Sequence, residues 1–132
     1  MKRILVVEDD REMINIYKDI FAGTASEFSI DYESNAPAGL SRLERNDYDL
    51  IILDIIMEPM TGDSFFLYAR NKEKSKNTPI LIVSVLSREL LEALRKMNHV
   101  RFVKKPIKRD DFLRSVNDAL LLKDASLPSS RA

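Results

Sequence analysis

Four short apolar stretches of this chain end in residues that could do chemistry together. ILVV is followed by Glu8 and Asp9, LIIL by Asp54, ILIV by Ser84, and VRFV by Lys104 and Lys105. Asp54 is the least expected of them, because Leu50–Leu53 precede it and Ile55, Ile56 and Met57 follow. A carboxylate carried into an apolar core costs several kcal/mol or is forced to neutralise. Three carboxylates drawn together would repel one another and raise their own proton affinity. A hard divalent cation relieves this. Mg²⁺ takes oxygen ligands in near-octahedral geometry and keeps several waters, so two direct carboxylates and a backbone carbonyl are enough to hold it. Glu8, Asp9 and Asp54 with Mg²⁺ and Lys105 sum to zero charge, and a pocket balanced in this way suits a phosphoryl group.

For these residues to meet, the stretches that carry them must be neighbouring strands with their ends on one side. Ile4–Val7, Phe28–Tyr32, Leu50–Leu53, Ile80–Val83 and Val100–Val103 are short and rich in β-branched or aromatic residues. The first, third and fourth are continuously apolar, as expected of parallel strands buried on both faces. Between them run stripes at helical spacing. These are Met13, Ile16, Tyr17, Ile20 and Phe21, then Leu40 and Leu43, then Phe65, Phe66 and Ala69. Leu90, Leu94 and Met97 form a fourth, and Phe112, Leu113, Val116, Ala119 and Leu120 a fifth. Asp10 is placed to cap the first helix and Asn35, with Pro37 just beyond it, the second. Asp110 and Asp111 suit the first turn of the last. The alternation predicts an α/β fold, a doubly wound (βα)₅ unit with a parallel sheet. Ligands of such sheets bind beyond the carboxyl ends of the strands. Residues 1–124 read as one domain, and 125–132 (ASLPSSRA) as a flexible tail or the start of a linker.

Composition narrows the function. Lys plus Arg and Asp plus Glu both number 21, so no overall charge draws the chain to nucleic acid or to an acidic membrane. Cysteine is absent, which removes disulfides and thiol chemistry and agrees with a cytoplasmic location. No segment has the apolar length of a membrane span. The single histidine, His99, cannot build a histidine-rich metal site and reads as an exposed turn residue. The KEKSK run at 72–76 reads as a solvated loop, and Met57 and Met60 as packing beneath the loop after Asp54.

ILVVEDD, LIILD with MTG close behind, PILIVS and FVKKP, in that order, resemble the receiver domain of two-component response regulators in its chemotaxis-type single-domain form. The resemblance covers residues 2 to about 123. It implies a flavodoxin-like fold with five parallel strands ordered 2-1-3-4-5. It also implies that Asp54 is the phosphoacceptor, attacking a phosphohistidine on a histidine kinase or histidine phosphotransfer protein. Asp9 and Asp54 would bind Mg²⁺ directly, Glu8 through water, and the backbone carbonyl of Ile56 would be a further ligand. Ser84 and Lys105 would each hold a phosphoryl oxygen. Phosphorylation would draw Ser84 inward and let Phe102, the switch aromatic, rotate. A downstream protein target would read the face of the fourth helix, fifth strand and fifth helix, which in the family also pairs in homodimers. Such a protein is not an enzyme beyond its own phosphotransfer and dephosphorylation.

The chain departs from the family pattern in four places. Glu58 precedes Pro59 where proline is usual, and Asn98-His99 replaces a common Gly-Ala pair, with Asn98 suited to a left-handed backbone. Val85 follows Ser84 where a smaller residue is usual, which should narrow access for small phosphoryl donors. Ile56 is apolar where polar residues often position water, which suggests a longer-lived phosphorylated state. Two alternatives stay open: a phosphate-independent binding module, and the receiver part of a larger regulator. A flavin protein is disfavoured because no Gly/Ser/Thr-rich phosphate loop follows the first strand. An aspartyl hydrolase is disfavoured because no acid stands two residues after Asp54.

Overall fold

The computed structural model describes residues 1–24, 26–57, 62–85, 92 and 99–125. Its five strands are β1 (Lys2–Val7), β2 (Phe28–Glu33), β3 (Leu50–Leu53), β4 (Ile80–Ser84) and β5 (Val100–Lys104). All pair in parallel, in the order β2-β1-β3-β4-β5 that the resemblance implies. The described helices are α1 (Arg11–Ala22), α2 (Ala36–Arg45), α3 (Gly62–Arg70) and a C-terminal helix, Arg109–Ala125. The fourth apolar stripe (Leu90, Leu94, Met97) lies outside the described residues, as do Glu58, Pro59, Met60, Asn98 and residues 126–132. Among the described residues no helix is long and apolar enough to cross a membrane.

The continuous apolar runs are explained by the two layers they feed. Successive strand residues point to opposite faces, and here both faces are covered. Leu5, Val7, Ile51, Leu53, Ile80 and Ile82 pack with Leu43 of α2 and with Phe65, Phe66 and Ala69 of α3. Ile4, Val6, Leu50, Ile52, Leu81 and Val83 pack with Met13, Tyr17 and Phe21 of α1 and with Phe112 and Val116 of the C-terminal helix. Ile16 is the exception in the first stripe: it sits on the flank of α1 and stays exposed. The expected caps are made. Asp10 accepts from the Glu12 N–H at 3.0 Å and Asn35 from the Ala38 N–H at 2.8 Å.

Gly39 brings α2 onto β1 just below the strand ends. A Cβ there would lie 2.8 Å from Val7 Cγ2 and 3.0 Å from Phe65 Cε2, both fixed in the core. Gly39→Ala should therefore destabilise by about 1–3 kcal/mol through overpacking, despite the better helix propensity of alanine. A urea titration checks this, and a stabilised variant would contradict it.

Two expectations are corrected at the opposite end of the sheet. The 72–76 run is not simply solvated, because Ser75 is buried and its hydroxyl donates to the Ala69 carbonyl. Arg70, stacked over Phe66, donates to the carbonyls of Ser75 (3.0 Å), Thr78 (2.8 Å) and His99 (3.3 Å). His99 is half-buried rather than exposed, and it adopts the left-handed backbone itself, with φ 61°. Its carbonyl is held by Arg70 and by the Ile80 N–H at 2.8 Å. Satisfying those two donors at the start of β5 turns the backbone and carries the ring inward.

Candidate functional site

Register places the chemistry. Val7 of β1 lies opposite Leu53 of β3, so Glu8 and Asp54, the next residues, leave the sheet side by side. The ladder continues one step past each strand, with the Glu8 N–H donating to the Glu33 carbonyl and the Asp54 N–H to the Val7 carbonyl. Ser84 pairs with Lys104 at the ends of β4 and β5, and the Lys105 N–H donates to the Ser84 carbonyl. The end of one strand, Ser84, and the residues just after three others, Glu8, Asp54 and Lys105, thus converge at the point where strand order reverses.

Glu8, Asp54 and Ser84 are 1%, 6% and 0% exposed. Lys105 Nζ donates to Glu8 Oε1 and to Asp54 Oδ2, both at 3.0 Å. Ser84 Oγ donates to Asp54 Oδ1 at 2.8 Å, and the Ile56 N–H reaches the same oxygen at 3.2 Å. Glu8 Oε2 accepts from the Asp10 N–H at 3.3 Å. Both oxygens of Asp54 are therefore engaged, and the strand-end aspartate that looked unwelcome is held by three groups distant in sequence or just after it. Asp9 is exposed, and one carboxylate oxygen from each of Glu8, Asp9 and Asp54 lies within 4.8 Å of the others.

The electrostatics are those of a site short of positive charge. Burial, followed by the nearby Asp54 charge, pushes the Glu8 carboxyl up to about 7, even though Lys105 opposes the shift. Burial works against the Lys105 ammonium, but Asp54 and Glu8 outweigh it and hold the lysine above its ordinary value. Three carboxylates against one lysine leave an excess of negative charge, and their oxygens form the hard donor set that Mg²⁺ prefers. The residues present fit that ion.

The remaining expected residues fall around this cluster. Ile56 and Val85 are 57% and 59% exposed at its rim. Phe102 is half-buried in β5 and packs against the core layer formed with α2 and α3. Lys104 is exposed, as its alternation with Lys105 requires, and Met57 is buried. The Ser84 hydroxyl faces Asp54 directly. The amide donors from Asp10 and Ile56 have no signature in side-chain identity and were not foreseen. The Lys105–Pro106 peptide bond is cis; its only sequence signal is the proline, since cis bonds are essentially confined to X-Pro. Through Asp9 the cluster adjoins a groove of about 620 Å³ lined by Arg11, Asn15, Lys18, Tyr32 and Ser34 among others.

A family model described as the response regulator receiver domain matches residues 4–117. Among curated proteins, the chain is 32% identical over 87 residues to the response regulator ArlR of Staphylococcus haemolyticus, covering 66% of this chain and 37% of that protein. It is 29% identical over 133 residues to the regulatory protein VanRB of Enterococcus faecalis, covering 95% and 54%. The chain thus spans from about a third to about half the length of these two relatives. Among solved structures, a CheY-like receiver domain protein of Methanospirillum hungatei superposes with a TM-score of 0.82 at 22% identity, covering 96% of this chain and 99% of that one. The chemotaxis protein CheY4 of Vibrio cholerae gives 0.81 at 21%, covering 90% and 98%. The receiver domain of the sensor kinase PA1611 of Pseudomonas aeruginosa, with a magnesium ion coordinated in its active-site cleft, gives 0.79 at 20%, covering 90% and 97%. At these identities the structural likeness speaks for the fold.

Proposed function

The chain belongs to the response regulator receiver domain family, and on that premise we propose that it is a phosphorylation-dependent signalling switch in which Asp54 accepts the phosphoryl group. The observation that carries this reading is the state of Asp54: a buried carboxylate whose two oxygens are held by Ser84 and Lys105 from separate strand ends. A carboxylate oxygen of Asp54 attacks the phosphorus of a phosphohistidine, the P–N bond breaks as the P–O bond forms, and the imidazole leaves. Ser84 Oγ and Lys105 Nζ, already within hydrogen-bond reach of the acceptor, turn to the incoming phosphoryl oxygens. Asp9 and Asp54 would hold Mg²⁺ directly, Glu8 through water, with the Ile56 carbonyl completing the protein ligands. Bound there, Mg²⁺ supplies the charge neutralisation that lets an anionic phosphoryl group approach an anionic pocket.

Receiver domains characteristically take their phosphoryl group from a histidine kinase or a histidine phosphotransfer protein, and this chain does so in our reading. Output passes to a protein partner through the surface around β5 and the C-terminal helix, with Phe102 as the switch aromatic, and the same surface serves homodimer contact. Residues 1–124 act as the receiver unit, and the location is cytoplasmic. Neither nucleic acid nor a membrane is bound directly.

The test is intact-protein mass after incubation with a histidine-phosphorylated donor protein and Mg²⁺. A phosphoryl-sized gain that chelator abolishes supports the switch. No gain, together with no Mg²⁺ binding, would move the reading to a phosphate-independent module. Val85 gives a finer prediction. Standing exposed beside Ser84, it narrows the approach, so Val85→Ala should take up phosphoryl groups several-fold faster from a small acyl phosphate while uptake from the protein donor changes little. Equal rates from the small donor would remove Val85 from the argument.

A further inference from the structure

We infer that His99 is an acid-sensitive latch: a proton on its ring breaks the hold that Arg70 and Ile80 keep on the His99 carbonyl, and frees the start of β5 from the loop that leads into β4. The site lies at the end of the sheet away from Asp54 and is independent of the phosphoryl chemistry.

The geometry has three parts. Arg70, the last residue of α3, gathers the carbonyls of Ser75, Thr78 and His99, and so ties the 71–79 loop to the residue that opens β5. His99 is in the left-handed region at φ 61°, an uncommon backbone state outside glycine that histidine enters more readily than most residues. Its ring nitrogens Nδ1 and Nε2 are both buried, and neither has a hydrogen-bond partner among the described residues.

A neutral imidazole carries one donor and one acceptor, whereas an imidazolium carries two donors and a full charge. Among the described residues no acceptor is bonded to either ring nitrogen, and the charge that acts on the ring is the Arg70 guanidinium. Lys72 and Lys76 of the same loop pair outward with Glu44 and Glu73, while Ile80 offers only its amide. Burial, with Arg70 adding to it, accordingly draws the His99 ring below its usual value of 6.5. Arg70 is itself reluctant in this place, since burial pushes its guanidinium down to about 10.

A charged ring must therefore leave for solvent, and the residue is only half-buried, so the path is short. Ring and carbonyl belong to one residue in an uncommon backbone state. Expelling the ring relaxes the φ that aims the carbonyl at Arg70 and Ile80.

Because His99 is the only histidine, its ring can be followed by proton–carbon NMR on the full chain without ambiguity. The titration runs from about pH 8 to about pH 5, the interval in which histidine changes charge. Exchange of the Ile80 amide, corrected for its intrinsic rate, is measured alongside. The expected result is a ring titrating below 6.5 and an Ile80 amide that exchanges about tenfold faster or more on the same curve. His99→Asn, which does not titrate and tolerates a left-handed backbone, should keep slow exchange throughout. A ring titrating at or above 6.5, exchange that accelerates with a different midpoint in the wild-type protein, or equal acceleration in the variant would each overturn the latch.

Discussion

Asp54→Asn is expected to gain no phosphoryl mass under conditions in which the wild-type protein gains it fully. Asparagine keeps the shape of the side chain, but an amide is not a nucleophile, and its nitrogen cannot accept from Lys105. No neighbouring carboxylate has the same equipment. Glu8 is buried at 1% exposure and already bonded to Lys105 and to the Asp10 N–H. Asp9 is exposed, and Ser84 and Lys105 donate to Asp54. The fold should survive, because one of two repelling carboxylates is removed while Lys105 keeps Glu8. An unchanged circular dichroism spectrum with no mass gain would locate the defect in the chemistry. A variant that gains mass as fast as wild type would sink the assignment of Asp54.

Lys105→Met should produce the largest stability change. Its ammonium lies 3.0 Å from both Glu8 and Asp54, and its side chain is 17% exposed. Removing the cation leaves two buried carboxylates facing each other, a class of change that costs about 3–5 kcal/mol. Urea unfolding in chelator at alkaline pH measures it. Acid should shrink the loss, because Glu8 takes up a proton. Above its ordinary value of 4.5 the residue is ionised in the unfolded chain, yet when folded it holds its proton up to about 7. The folded state therefore binds more protons across that interval, and stability falls as pH rises through it. Losing Lys105 removes an opposing influence and deepens the same dependence. Added Mg²⁺ should restore part of the stability at alkaline pH. A variant within about 0.5 kcal/mol of wild type, the range of ordinary surface substitutions, would mean the lysine is not balancing the carboxylates.

The strands and the cluster were legible in the sequence for one reason: both are written in residue type at the same places. An apolar run long enough for a doubly buried strand, ending in Glu8-Asp9, Asp54, Ser84 or Lys105, states the element and the chemistry together. What escaped notice depends on partners far away in sequence. His99 looks like a turn residue until Arg70, 29 positions earlier, fixes its carbonyl and turns its ring inward. Ser75 sits in a run of charges and is nonetheless buried, because the Ala69 carbonyl needs a donor at the end of α3. Ile16 fits the helical stripe and still faces solvent, since periodicity gives the face of a helix and not how far its partner layer extends.

Lys105 meets Glu8 across 97 positions and Asp54 across 51, and this has a consequence for how the protein is made. A chain emerging from the ribosome presents both carboxylates long before their counterion exists. Contacts of such long range are gained late, after their loop entropy has been spent. Until the fifth strand docks, Glu8 and Asp54 lack their lysine, so half-assembled forms are penalised at the acidic cluster. Under the proposed function, a nascent or partly unravelled chain then offers a phosphoryl donor no competent acceptor, and signalling competence arrives together with completion of the fold.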